Sequence, residues 1–152
     1  IRPANATQDG PARIVTLSAD IGNRNFTLGQ GLWGVQPSGL YDVRLRTTAT
    51  DDNGSSSLTT PDGSASTALS HVVYTRDASG VCKIYVNNVE VVSGTIDGDF
   101  ANWGKSYHLA LANELTGDRP WLGEFHLIAI YNRALNQAEV SQNFNVGLVT
   151  TP

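Results

Sequence analysis

His71-Val72-Val73-Tyr74-Thr75-Arg76, Asp77-Ala78-Ser79-Gly80, Val81-Cys82-Lys83-Ile84-Tyr85-Val86, Asn87-Asn88 and Val89-Glu90-Val91-Val92-Ser93-Gly94-Thr95 follow one another without interruption. Three runs rich in β-branched and aromatic side chains are separated by two short groups of turn formers, which predicts three antiparallel strands over 71–76, 81–87 and 89–95. Asn87-Asn88 is the sharper turn signal, because Asn tolerates the positive φ that tight hairpins require. Alternation places Cys82 with Ile84 and Val86 on one side of the middle strand, so its thiol reads as a small buried hydrophobe.

The same period of two extends outward in both directions. Residues 13–19, 25–28 and 41–48 precede the hairpins, and 107–112 and 123–131 follow them. Turn chemistry divides them at Asp97-Gly98 and Thr116-Gly117-Asp118. Residues 51–70 are rich in Ser, Thr, Gly and Asp, and read as a long surface loop with at most a short edge strand near Leu58. Near the end, Asn136 is followed three places later by Glu139, then Val140 and Phe144 at helical spacing and Gly147 as a stop, which predicts one short helix. Many short strands with one late helix make the expected fold all-β, a two-sheet antiparallel jelly-roll sandwich with a short C-terminal helix. Its core should hold Val43, Leu45, Ile84, Val86, Leu109, Leu111, Ile128 and Ile130.

The 152 residues suit a single domain spanning 1–152. Apolar residues make up 40% and charged residues 16%, an ordinary globular balance. A net charge of −4 leaves no basic footprint, so nucleic acid is not an expected partner. The apolar runs are far too short for membrane insertion. The single Cys82 excludes an internal disulfide. With no methionine and Ile1 at the front, the chain reads as a piece of something longer.

Several segments resemble the laminin-G-like branch of the concanavalin A-like lectin and glucanase superfamily, as found in bacterial exported proteins. They are 71–76, Lys83 to Asn88, Leu109-Ala110-Leu111-Ala112-Asn113-Glu114, Arg119-Pro120-Trp121-Leu122-Gly123-Glu124 and Ile130-Tyr131-Asn132-Arg133-Ala134-Leu135. The likeness covers roughly residues 11–147 and implies the same jelly roll. It also implies that opening strands are missing, with Ile1-Arg2-Pro3-Ala4 as the tail of one, and a secreted or cell-surface setting within a longer exported chain.

Enzymes with this jelly roll cleave glycans with clustered carboxylates of the form Glu-x-Asp-x-x-Glu, because a retaining mechanism needs its acid and nucleophile about 5–5.5 Å apart. Glu90, Glu114, Glu124 and Glu139 are the only glutamates, and none has a carboxylate two positions away. Nucleophile elbows, zinc-binding His pairs and phosphate loops are absent too. The expected role is therefore non-catalytic.

Calcium is the cofactor the resemblance suggests. Asp97, Asp99, Asn113 and Asp118 sit in turns that can supply the hard oxygens calcium prefers, with Asp51 and Asp52 in second place, although Asp is equally a plain turn former. For sugar contact an aromatic platform is expected. Trp121 leads into a core strand and reads as an anchor, leaving Trp33 and Trp103 as candidates, with a place at the core edge as the alternative for each. In 41–48, Val43, Leu45 and Thr47 share one face, so Arg44 and Arg46 share the other with Asp42. They either form a solvated face with their stems over apolar surface or, on a concave face, are offered to an anionic sugar or a carboxylated partner. The expected function is recognition of a glycan or surface polymer; a structural or protein-interaction module is the alternative. Missing opening strands would leave an exposed strand edge or face, and hence a homodimer.

Overall fold

The computed structural model describes residues 1–34 and 37–147. The strands are β1 (Arg2–Pro3), β2 (Ala12–Ser18), β3 (Arg24–Gln30), β4 (Tyr41–Leu45), β5 (Leu58–Thr59), β6 (Val72–Arg76), β7 (Val81–Val86), β8 (Val89–Thr95), β9 (His108–Leu111) and β10 (Gly123–Glu124), followed by helix α1 (Gln137–Gly147). They form a five-stranded sheet in the order β5-β4-β3-β2-β9, a three-stranded sheet β6-β7-β8 and a two-stranded ribbon β1-β10, all antiparallel. This is the expected β-sandwich of the jelly-roll type. Asn87 and Asn88 both hold positive φ at the β7–β8 turn, as the hairpin requires.

Register explains the layering. Val15 opposes Leu28, Leu28 opposes Val43, and Val43 opposes Leu58, which gives the large sheet one apolar face. In the small sheet Tyr74 opposes Ile84 and Arg76 opposes Cys82, so the β6–β7 hairpin turns Tyr74, Ile84 and Cys82 to the same side. The two apolar faces meet: Phe26, Leu58 and Tyr74 pack around Leu45, Cys82 and Ile96. A second cluster joins Ala12, Ile14, Val15, Tyr41 and Trp121 with Val72, Val86 and Ile128 against it. Burial raises the Cys82 thiol pKa, keeping it protonated and unreactive. Helix α1 covers the outer side of the small sheet through Val140, which packs with Leu135 and Tyr85. Its start is a reciprocal cap: the Glu139 N–H donates to Asn136 Oδ1 at 3.0 Å, and the Asn136 N–H donates to Glu139 Oε2 at 2.9 Å.

Three expected core residues lie elsewhere. Leu109 is 51% exposed, Leu111 45% and Ile130 72%. Leu109 and Leu111 do face the apolar side, opposite Leu17 and Val15, but β9 is the sheet's outermost strand on that flank. The small sheet packs over Phe26, Leu45 and Leu58 instead, so nothing from it shields β9. Ile130 falls in a stretch expected as a strand over 123–131, of which only Gly123–Glu124 pairs. Without strand neighbours, alternation there no longer sorts residues into inside and outside. The 51–70 loop is also more engaged than its composition suggests. It carries β5, and Ala65 is buried in the core.

Candidate functional site

The opposite face of the five-stranded sheet is polar, and two bulges determine what stands on it. In β2, Arg13 opposes Gly29 while Val15 opposes Leu28, so Ile14 is an extra residue. In β3, Phe26 opposes Leu17 while Arg24 opposes Ser18, so Asn25 is extra. Each bulge shifts the side-chain parity by one. Arg13 and Arg24 thereby join Thr16, Ser18 and Thr27 on the polar face, where Asp42 and Arg44 of β4 also stand. Thr16 Oγ1 lies 3.1 Å from both Ser18 Oγ and Thr27 Oγ1, tying the floor together.

Three guanidinium groups and two carboxylates occupy this floor. Arg13 Nε pairs with Glu114 Oε2 at 3.3 Å, and both side chains are almost wholly buried. Glu114 Oε1 also accepts hydrogen bonds from Ser18 Oγ and from the Leu115 N–H. Arg44 Nε pairs with Asp42 Oδ2 at 3.4 Å, and Asp42 Oδ1 accepts from Thr59 Oγ1 at 2.7 Å. Arg24, only 1% exposed, has no carboxylate within ion-pair distance among the described residues: its Nη2 donates to the Ile21 carbonyl. Arg24 Nε and Nη1, and Arg13 Nη1, are buried without a partner among the described residues. Burial lowers the Arg24 pKa to about 10, helped by repulsion from Arg13 and Arg44. Burial likewise lowers that of Arg13, and Glu114 opposes the shift.

Trp33 stands on the rim. It is 68% exposed, and the Arg119 guanidinium lies 4.7 Å from its ring centroid. Arg119 belongs to the same neighbourhood as the charged floor, because its carbonyl accepts the Arg13 N–H at 3.0 Å and its charge is felt at Arg13. An exposed aromatic surface therefore borders a strongly charged one.

The other candidates are placed differently. Trp103 packs against the Leu45 cluster, donates from Nε1 to the Arg46 carbonyl at 2.7 Å and lies 4.6 Å from Phe100. Arg46 shares the face of Arg44 but is engaged at the far end, with Asp52 at 2.7 Å and the Tyr107 hydroxyl at 3.2 Å. Trp121 is the anchor expected, buried with its indole N–H donating to Gln30 Oε1 at 3.0 Å.

Most of the calcium candidates spend side-chain oxygens on their own turns. Asn113 Oδ1 accepts the Glu114 and Arg119 N–H groups, Asp118 is bound by Thr116 and Arg119, and Asp99 Oδ1 accepts the Ala101 N–H. Asp97 is exposed, and its carbonyl accepts from Thr47 Oγ1 at 2.6 Å. Among the described residues no three acidic, His or Cys side chains converge as an ion cage.

Alternation alone hid Arg13 and Arg24, because an unbulged strand would turn Arg13 inward with Val15, and Arg24 inward with Phe26. Glu114 and Arg119 come from loops flanking the Thr116-Gly117-Asp118 turn, and nothing local to them indicates that they meet β2.

A family model described as the concanavalin A-like lectin/glucanases superfamily matches residues 1–141, and the chain belongs to that superfamily. No curated protein matches the chain. Among solved structures, a candidate carbohydrate-binding protein from Bacteroides ovatus is similar over 89% of this chain, with 18% identity and a TM-score of 0.60. This chain spans 38% of that protein's length. An S-layer domain-containing protein from Clostridium thermocellum (its residues 221–444) aligns over 91% of this chain and 65% of its own, with 15% identity and a TM-score of 0.40. No helix among the described residues is long and apolar enough to cross a membrane.

Proposed function

We propose that the chain is a non-catalytic glycan-recognition module of a secreted or cell-surface protein, binding through the polar face of the five-stranded sheet. The observation that carries this reading is the exposed Trp33, stacked by Arg119 beside the Arg13–Arg24–Arg44 floor. Sugar rings present apolar faces edged by hydroxyls, and an amphipathic aromatic next to planar donors suits both. Superfamily membership and the carbohydrate-binding description of the Bacteroides ovatus protein support it. Glu114 is bound on both oxygens by Arg13, Ser18 and Leu115, which suits a structural carboxylate better than an acid or a nucleophile. A glycan array probed with and without calcium tests the reading. Selective binding that Trp33→Ala abolishes is expected, and binding that survives Trp33→Ala would place the ligand elsewhere.

A second reading has its own observation. β9 is a sheet edge beside the exposed Leu109 and Leu111, and an unpaired edge with apolar neighbours templates further pairing. On that reading the module self-associates as a homodimer or attaches to another chain. Light scattering across a concentration series decides it: dimerisation that Leu109→Lys removes sustains it, and a monomer at every concentration sinks the homodimer.

A further inference from the structure

The polar face buries a guanidinium that the described residues leave without a carboxylate in contact. Among the described residues the guanidinium groups of Arg13 and Arg44 each contact one carboxylate, Glu114 and Asp42, while Arg24 contacts none, and Asp20 and Asp51 act on Arg24 and Arg44 only from farther off. Arg24 is the uncompensated member: its Nε and Nη1 are buried with no acceptor among the described residues, as is Arg13 Nη1. Removing cationic donors from water without acceptors is costly, so this arrangement opposes folding unless something compensates it. Arg44 is the member an incoming group meets first, since 22% of its side chain remains exposed while Arg13 and Arg24 are enclosed.

We infer that this cluster receives the acidic group of an anionic glycan, a carboxylate or a sulfate ester, with Arg44 in contact and Arg13 and Arg24 supplying a fixed positive field behind it. The inference rests on the glycan reading above and names its ligand class. One monovalent anion offsets the charge that Arg24 leaves without a contacting carboxylate. Planar carboxylate and tetrahedral sulfate oxygens both match the guanidinium fork, which holds paired oxygens better than a point charge does. The lowered Arg24 pKa has the same origin as the predicted affinity, because an anion removes the repulsion and part of the desolvation penalty that burial imposes. Trp33, next to Arg119 on the rim, then lies where a sugar ring adjoining the acidic group can rest.

Titration calorimetry is run with an oligogalacturonide, a sulfated galactan oligosaccharide, the carboxyl-reduced and desulfated counterparts of both, and sodium sulfate against sodium chloride. At least one acidic oligosaccharide should bind about tenfold more tightly than its neutral counterpart, the effect of one charge-assisted contact. Raised salt should shrink that advantage. Arg44→Gln should erase it and Arg44→Lys should keep part of it. Arg24→Gln should also reduce it; if that variant does not fold, the Arg44 pair decides. The carboxylate and sulfate arms identify which acid is read. Equal binding of acidic and neutral probes, or an advantage that survives Arg44→Gln, overturns the anion site and leaves the glycan reading standing. Sulfate binding that depends on Arg44, with no oligosaccharide bound, sustains the site and overturns the glycan reading. No binding by any probe overturns both.

Discussion

Replacing Glu114 with Gln keeps the size of the side chain and removes the one negative charge that Arg13 touches. Arg13 and Glu114 expose 2% and 0% of their side chains, so water cannot take over the lost interaction. Removing one partner of a buried pair costs about 3–5 kcal/mol, most of it the penalty of an uncompensated charge. Here the contact is a single N–O approach of 3.3 Å and Arg13 already carries an unpartnered Nη1, so the lower end, about 3 kcal/mol, is expected. Repulsion from Arg44 and Arg119, which also lowers the Arg13 pKa, keeps the loss from falling further. For a domain of this size about 3 kcal/mol corresponds to a fall in Tm of roughly 6–12 °C. Urea unfolding followed by circular dichroism and by tryptophan fluorescence measures the loss directly. The Arg13→Met/Glu114→Leu double variant should recover most of it, because replacing a buried pair with apolar groups of similar volume is often neutral. A loss under about 1 kcal/mol in Glu114→Gln would refute the reasoning, since the Arg13 charge would then not be desolvated.

Ile84→Ala should cost about 2–5 kcal/mol by urea unfolding, because Ile84 is fully buried between the sheets, whereas Leu111→Ala on the uncovered flank should cost under about 1 kcal/mol. Asn136→Ala should lower stability by about 0.5–2 kcal/mol through loss of the α1 cap, read by the helical signal in thermal melts. Arg133, assisted by the Asn136 N–H, lowers the Glu139 pKa from 4.5 to about 2. A depressed carboxyl stabilises the fold fully above its ordinary value, so this contribution should be complete above about pH 5 and disappear as pH falls towards 2, with the loss absent in Glu139→Gln. Millimolar calcium should leave the melting temperature unchanged, given the turn oxygens already engaged; a rise that EDTA reverses would instead assign a site at the Asp97–Asp99 or Asn113–Asp118 turn.

Local chemistry accounts for much of this protein without reference to tertiary contacts. The β6–β7–β8 meander follows from alternation and from Asn87-Asn88, because both act within a few residues. The α1 cap follows from the spacing of Asn136 and Glu139, and the buried Cys82 and Trp121 follow from their neighbours. Long-range arrangement decided the rest. Which flank of an apolar face is covered depends on where the second sheet sits, so Leu109 and Leu111 carry core spacing and still face solvent. The candidate site depends on two single-residue bulges, at Ile14 and Asn25, that turn Arg13 and Arg24 against their own strand parity. A bulge is a mismatch in length between paired strands, a property of the pair that neither strand's sequence contains alone. Sequence therefore offered Arg44 and Trp33 singly as candidates, and only the pairing of β2 with β3, and of Arg13 with a glutamate 101 residues away, assembled the charged face beside them.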